Sequence, residues 1–197
     1  MVKVGITGGI GSGKTTVCTI FETLGIPVYY ADDRAKALMV SNKDIVRQII
    51  ATFGKASYFT DGSLNRKYIS DIVFQDKNLL QQLNSIVHPI VFLDTEQWYH
   101  THSHRPYTLY ETAIMYESGS YKKMDKVITV FSPLETRVAR TMQRDNCSRE
   151  EVLVRINKQL PEEEKIQKAD FVIYNDHSQP LIAQVLTIHQ QLISLAQ

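Results

Sequence analysis

The stretch Gly8-Gly9-Ile10-Gly11-Ser12-Gly13-Lys14-Thr15 places four glycines, a lysine and a hydroxyl residue in the spacing G-x-x-x-x-G-K-[ST]. Such a segment can wrap phosphate oxygens in backbone N–H groups. Obstructing side chains are missing, and glycine tolerates the positive φ values of the turn. A helix beginning near Lys14 aims its first amides at the same oxygens. Lys14 supplies a mobile charge for β- and γ-phosphates, and the Thr15 hydroxyl can ligate Mg²⁺. The expected ligand is ATP with Mg²⁺. Its expected contacts are Gly8, Gly9, Gly11, Ser12, Gly13, Lys14, Thr15 and Thr16.

Further along, Asp32 follows the next apolar run. A carboxylate there can take the proton of an attacking alcohol. The same residue is also a good helix N-cap, so both roles stand open, and Asp33 is its neighbouring alternative. Five of the nine arginines fall between Arg137 and Arg155. Arg140 and Arg144, four apart, share one face of a helix. They either reach nucleotide phosphates or pair with Glu135, Asp145 or Glu151. Glu111 is placed either to hold Mg²⁺ through water or to serve as a strand-end carboxylate with a structural partner. His100, His102 and His104 alternate, but no cysteine or carboxylate cluster completes a metal site, so they read as a solvated loop. Cys18 reads as helix packing, and Glu162-Glu163-Glu164 as a solvated surface.

These residues need a frame. Val2–Thr7 is a short apolar run ending in glycines, read as a buried strand. Val17, Ile20, Phe21 and Leu24 have helical spacing, and Gly25 and Pro27 end that helix. Ile26–Tyr30 reads as a second strand, which completes a βαβ unit with parallel strands. Asp33–Phe53 and Arg66–Thr101 are mostly helical, with a turn at Tyr58–Gly62 between them. Leu79, Leu83, Ile86, Val87 and Ile90 share a face of a long helix that Pro89 should kink. Strands return at Tyr107–Ala113, Lys126–Phe131 and Phe171–Tyr174. Leu181 to Ile193 forms an amphipathic closing helix. The expected fold is α/β: a P-loop NTPase three-layer core with a parallel sheet, an inserted helical acceptor lobe and a helical lid. The expected division is a core of 1–31, 105–135 and 168–197, a lobe of 32–104 and a lid of 136–167.

The 197 residues are 43% hydrophobic and 22% charged, with a formal net charge of +1. No basic excess points to nucleic acid. Two cysteines, Cys18 and Cys147, make no disulfide framework and fit a reducing compartment. No apolar run approaches a membrane span, and the N-terminus enters the first strand with no room for a signal peptide. A cytoplasmic protein is expected, and no pattern specifies an oligomeric state. No Asn-Lys pair, that at 157–158 included, carries the aspartate of a guanine-reading N-K-x-D motif, which disfavours a GTPase. The size, inserted lobe and late arginine cluster suit a metabolite kinase, whose arginine-bearing lid closes over the phosphates.

Four segments resemble the dephospho-CoA kinase family, and together they span nearly the whole chain. They are Thr7–Thr16, close to TGGIGSGKS; Ala31-Asp32 with Ala35-Lys36; Asp61-Gly62-Ser63-Leu64-Asn65-Arg66 followed by Val73-Phe74 and His88-Pro89; and Arg140–Asp145 with Arg155-Ile156, Gln159, Ala169-Asp170 and Asn175-Asp176. The chain departs from the family at Tyr30, where an aspartate is usual, and at Lys36, where an arginine is usual. It reads Ala113-Ile114-Met115-Tyr116-Glu117 in place of Pro-Leu-Leu-x-Glu. The resemblance implies phosphorylation of the ribose 3′-hydroxyl of dephospho-CoA by ATP. It favours Asp32 over Asp33 as the base. With Lys14 and Arg140 it completes the expected catalytic set, Arg144 and Asn175 join the nucleotide contacts, and Arg66, His88 and Glu117 join the acceptor contacts.

Overall fold

The computed structural model describes residues 1–196. Strand β1 (Val2–Thr7) leads through the glycine loop into α1 (Lys14–Thr23), and β2 (Val28–Tyr30) follows. Next come α2 (Ala31–Ser41), α3 (Lys43–Phe53), α4 (Arg66–Gln75) and α5 (Lys77–Thr101). The chain continues with β3 (Tyr107–Glu111), β4 (Lys126–Phe131), α6 (Leu134–Asp145), α7 (Arg149–Ile156), α8 (Glu162–Lys168), β5 (Phe171–Tyr174) and α9 (Leu181–Leu195). The strands form one sheet in the order β2-β3-β1-β4-β5, every pair parallel.

Parallel strands must be covered on both faces, and strand alternation shows how. Val4 and Ile6 of β1, Tyr107 and Leu109 of β3 and Ile128 and Val130 of β4 join Val17, Phe21, Val185, Ile188 and Leu192 of α1 and α9 in one core. The intervening residues face the other way. A Cβ on Gly5 would run into Met115, and Val127 packs with Met115 and Tyr116. On that same face Thr129 donates to the Lys165 carbonyl of α8 at 3.4 Å. Helix, sheet and helix thus form three layers.

The chain divides into two compact units: Met1–Tyr30 with the chain from Thr101 onward, and Ala31–His100. The second unit is helical around its own core of Ile45, Ile49, Phe53, Leu64, Ile69, Ile86 and Val87. The α5 residues Leu79, Leu83 and Ile90 pack against that core, as their spacing predicts. Pro89 lies inside α5, which runs unbroken from Lys77 to Thr101. The stretch Asp33–Phe53 holds two helices. Asn42 parts them, its side chain accepting the Asp44 and Ile45 N–H groups at 3.0 and 3.1 Å to cap α3. Among the described residues, no helix is long and apolar enough to cross a membrane.

Candidate active site

The phosphate loop lies between β1 and α1, at the carboxyl end of the sheet, where open α/β sheets place ligands. Lys14 folds back over it, its Nζ donating to the carbonyls of Gly8 at 2.9 Å and Gly9 at 3.4 Å. The Ser12 N–H closes a turn on the Gly9 carbonyl at 3.0 Å. Gly13 caps α1 at φ 93°, and the Val17 N–H reaches its carbonyl. The Lys14, Thr15 and Thr16 amides precede that bond and belong to the helix terminus, whose N–H groups lack helical acceptors. The Ser12 hydroxyl is buried and has no hydrogen-bond partner among the described residues. Helix-terminal amides, a lysine and a buried hydroxyl around a glycine turn fit an anion.

Neighbouring elements build the cradle tightly. A Cβ on Gly13 would collide with the Asn175 side-chain amide, and Arg140 Nη1 lies 3.9 Å from the same point. Arg140 is half-buried and donates to Ser132 Oγ at 3.3 Å. A Cβ on Gly9 would meet the Arg137 guanidinium and, at 2.7 Å, Glu162 Oε1. These are the loop's two closest approaches from the α6–α8 segment and from β5.

Three residues given no site role by the sequence, Gln159, Glu162 and Arg137, lie against the loop, with Lys165 behind Glu162. Gln159 Oε1 accepts the Ile10 N–H at 2.9 Å, and Glu162 Oε2 accepts the Gly9 N–H at 3.3 Å. Glu162 also accepts Lys165 Nζ at 3.1 Å, and Arg137 Nη1 stands 3.9 Å away. The reading of Glu162-Glu163-Glu164 as uniformly solvated is corrected: Glu163 and Glu164 are exposed, but Glu162 is buried against Lys165, itself 0% exposed. The available signal was the Glu162–Lys165 spacing, which puts opposite charges on one helix face.

The expected site residues fall into distinct places. Glu111 ends β3, is buried, and sits beside Ile6 of β1 and Tyr30 of β2 in the sheet register. Burial first, then the Glu111 and Glu22 carboxylates, push the Cys18 thiol well above its ordinary range, while Lys14 pulls it down. Cys18 is thus an inert core residue within electrostatic reach of both Glu111 and Lys14. Thr15 and Thr16 are exposed on the first turn of α1. Arg144 is exposed at the end of α6 and donates twice to Asp145, at 2.7 and 3.1 Å. Arg155 adds a third bond to Asp145 at 2.6 Å, and the two guanidiniums hold that carboxyl far below the usual range. Asn175 is buried, and its Nδ2 donates to the Ser12 carbonyl at 2.8 Å. Glu117 accepts the Leu160 N–H at 2.6 Å and so secures the α7–α8 connection.

In the helical unit, Asp32 is the second residue of α2 and exposed, which puts it inside the first turn rather than at the cap. Asp33 pairs with Lys36 at 2.8 Å. Arg66 opens α4 and His88 lies on α5, both exposed. Tyr30, in the family's aspartate position, donates its hydroxyl to Glu22 of α1 at 3.1 Å. Among the described residues, no three His, Cys, Asp or Glu side chains gather to hold a metal. Thr15 and Glu111 each offer a hard oxygen. That donor set fits Mg²⁺, which keeps its waters and takes one or two protein oxygens beside substrate phosphates.

The model of the dephospho-CoA kinase family matches residues 2–180. The chain belongs to that family. It is 37% identical over 187 residues to the dephospho-CoA kinase of Bacteroides fragilis, covering 95% of this chain and 91% of that one. With the dephospho-CoA kinase of Salinibacter ruber it shares 40% identity over 178 residues, 89% of each chain. A solved dephospho-CoA kinase from Campylobacter jejuni superposes with a TM-score of 0.73 at 27% identity, covering 99% of this chain and 98% of that one. As a member of a dephospho-CoA kinase family, the chain is a phosphotransferase built on the P-loop kinase fold.

Proposed function

We propose that this protein transfers the γ-phosphoryl group of ATP to the ribose 3′-hydroxyl of dephospho-CoA, giving ADP and coenzyme A. The match of one kinase family over residues 2–180 carries this reading, because it takes in the phosphate loop, Asp32 and the arginine segment together. Phosphoryl transfer is mainly positioning and charge stabilisation, and the loop supplies both. The loop from Gly8 to Thr16 encloses the phosphates, chiefly through the first-turn amides of α1, and Lys14 follows the charge that builds between the β- and γ-phosphates. Arg140, with its guanidinium beside Gly13, neutralises the transferring group. Arg144 is the second lid arginine for the phosphates, and reaching them exchanges its exposed pair with Asp145.

Asp32 accepts the proton of the attacking 3′-hydroxyl. Its place just past the end of β2 and its exposed carboxylate support that role. Thr15 and Glu111 are the residues that hold Mg²⁺, which when bound draws charge from the phosphate oxygens. Asn175 serves the nucleotide through the loop it props. Arg66 and His88 belong to the acceptor lobe, formed by the Ala31–His100 unit, and Glu117 contributes to acceptor binding. The α6–α8 segment acts as the lid. The unpaired cysteines, one of them buried, agree with a reducing cytoplasm.

The test is an ADP-release assay with Mg-ATP, with and without dephospho-CoA, and analysis of the product for a new 3′-phosphate. Strong stimulation with coenzyme A as product is expected. Nucleotide binding without stimulation would discard the acceptor and retain the phosphate loop.

A further inference from the structure

Gly8, Gly9 and Gly11 make the first half of the phosphate loop costly to order, because glycine loses more conformational freedom on folding than any other residue. They carry no side chains that could anchor the segment, so its order must come from hydrogen bonds to its backbone. Lys14 and the Ser12 N–H hold its carbonyls. Among the described residues, two outside side chains accept its N–H groups, both from the α7–α8 region. Ile10 N–H donates to Gln159 Oε1 at 2.9 Å, and Gly9 N–H donates to Glu162 Oε2 at 3.3 Å.

Gln159 is fixed at its other end as well. Its Nε2 donates to the Ala113 carbonyl at 3.1 Å, just beyond β3. The next residue, Leu160, donates its N–H to Glu117 in the same post-β3 segment. The side-chain amide therefore spans from a rigid point beside the sheet to the most flexible part of the loop. Only an amide both accepts and donates in this way at this length.

We propose that Gln159 is a positioning residue for the nucleotide: it holds the Gly9–Gly11 half of the loop in its binding conformation before ATP arrives. The first-turn amides of α1 remain for the phosphates. Binding then no longer includes the cost of ordering the glycines. The inference rests on the nucleotide-binding reading given above.

Gln159→Met keeps the length of the side chain and removes both hydrogen bonds. ADP titration by calorimetry, without acceptor, is expected to show roughly three- to tenfold weaker binding, the size of one lost hydrogen bond. The same loss should appear in KM for ATP, with kcat changed less. Leu160→Ala loosens the same connection without touching the loop, and its ADP affinity should stay near wild type. Equal losses in the two variants, or wild-type affinity in Gln159→Met, would overturn the inference. A wild-type chain that binds no ADP would overturn the nucleotide reading and this one with it. Amide hydrogen exchange on the wild-type protein is independent of any variant's folding. Ile10 should be protected without nucleotide, and exchange at the free-peptide rate would refute the contact.

Discussion

The Asn175 side-chain amide donates to the Ser12 carbonyl at 2.8 Å, across 163 positions of sequence. The bond ties the residue after β5 to the middle of the phosphate loop. Asn175 is held in turn by Phe131 and Ser132 at the end of β4, at 2.8 and 3.0 Å. Removing the amide leaves the Ser12 carbonyl without its donor, at a cost of about 1–2 kcal/mol. Asn175→Ala should therefore melt roughly 2–8 °C lower and bind ADP more weakly, as read by a thermal melt and a nucleotide titration on one preparation.

Lys14 has no substitute within the loop. Lys14→Ala should lower kcat on the order of a hundred- to a thousandfold, the scale of losing one transition-state charge partner. Steady-state rates with saturating dephospho-CoA check this. A variant within threefold of wild type would take Lys14 out of the chemistry.

Asp32 and Asp33 separate by rate. Asp32→Asn should cut kcat about a hundred- to ten-thousandfold, the usual range for a general base, with ADP affinity nearly unchanged. Asp33→Asn breaks an exposed pair with Lys36 and should cost little. Reversal of the two results would move the base to Asp33.

Glu162 is predicted to matter for stability as well as for the loop. Lys165 is 0% exposed, and its other carboxylate, Glu117, lies 3.9 Å away. Glu162→Ala strands a buried ammonium and should cost about 3–5 kcal/mol. Denaturant unfolding measures the loss. Glu162→Gln, which keeps an acceptor oxygen for Gly9, should lose less.

His189 of α9 lies 2.7 Å from the Tyr107 hydroxyl of β3, and burial lowers its pKa below the ordinary 6.5. The folded state favours the neutral ring. Its contribution is present above pH 6.5 and is lost as pH falls from there through the folded value. The melting temperature should rise from pH 5.5 to 7.5, and His189→Gln should flatten that rise. Identical pH slopes for the two proteins would assign the dependence to other groups.

Much of the frame was legible because buried parallel strands read as apolar runs. Lys126–Phe131 and Phe171–Tyr174 carry the expected bounds. The break at Asn42 was not, since the helical spacing on either side is compatible with one helix and only the cap reveals two. In the site, the loop and its lysine follow from a local motif. Glu162 was misread because a run of three glutamates looks solvated, and only the packing of α8 turns one of them inward. Gln159 lies 149 positions from Ile10, and no local pattern encodes a contact at that distance.

Gly8 and Gly11 leave room for backbone: the Val130 carbonyl presses against one and the Arg137 carbonyl against the other. Their smallness is thus demanded by the architecture, whether or not a ligand is ever bound. A descendant of this chain that abandoned catalysis would still be held to glycine at both sites, while Lys14 and Thr15 would be released to drift. In sorting active enzymes from retired copies on this scaffold, the lysine and the threonine are therefore the informative letters, because these two glycines would persist in either.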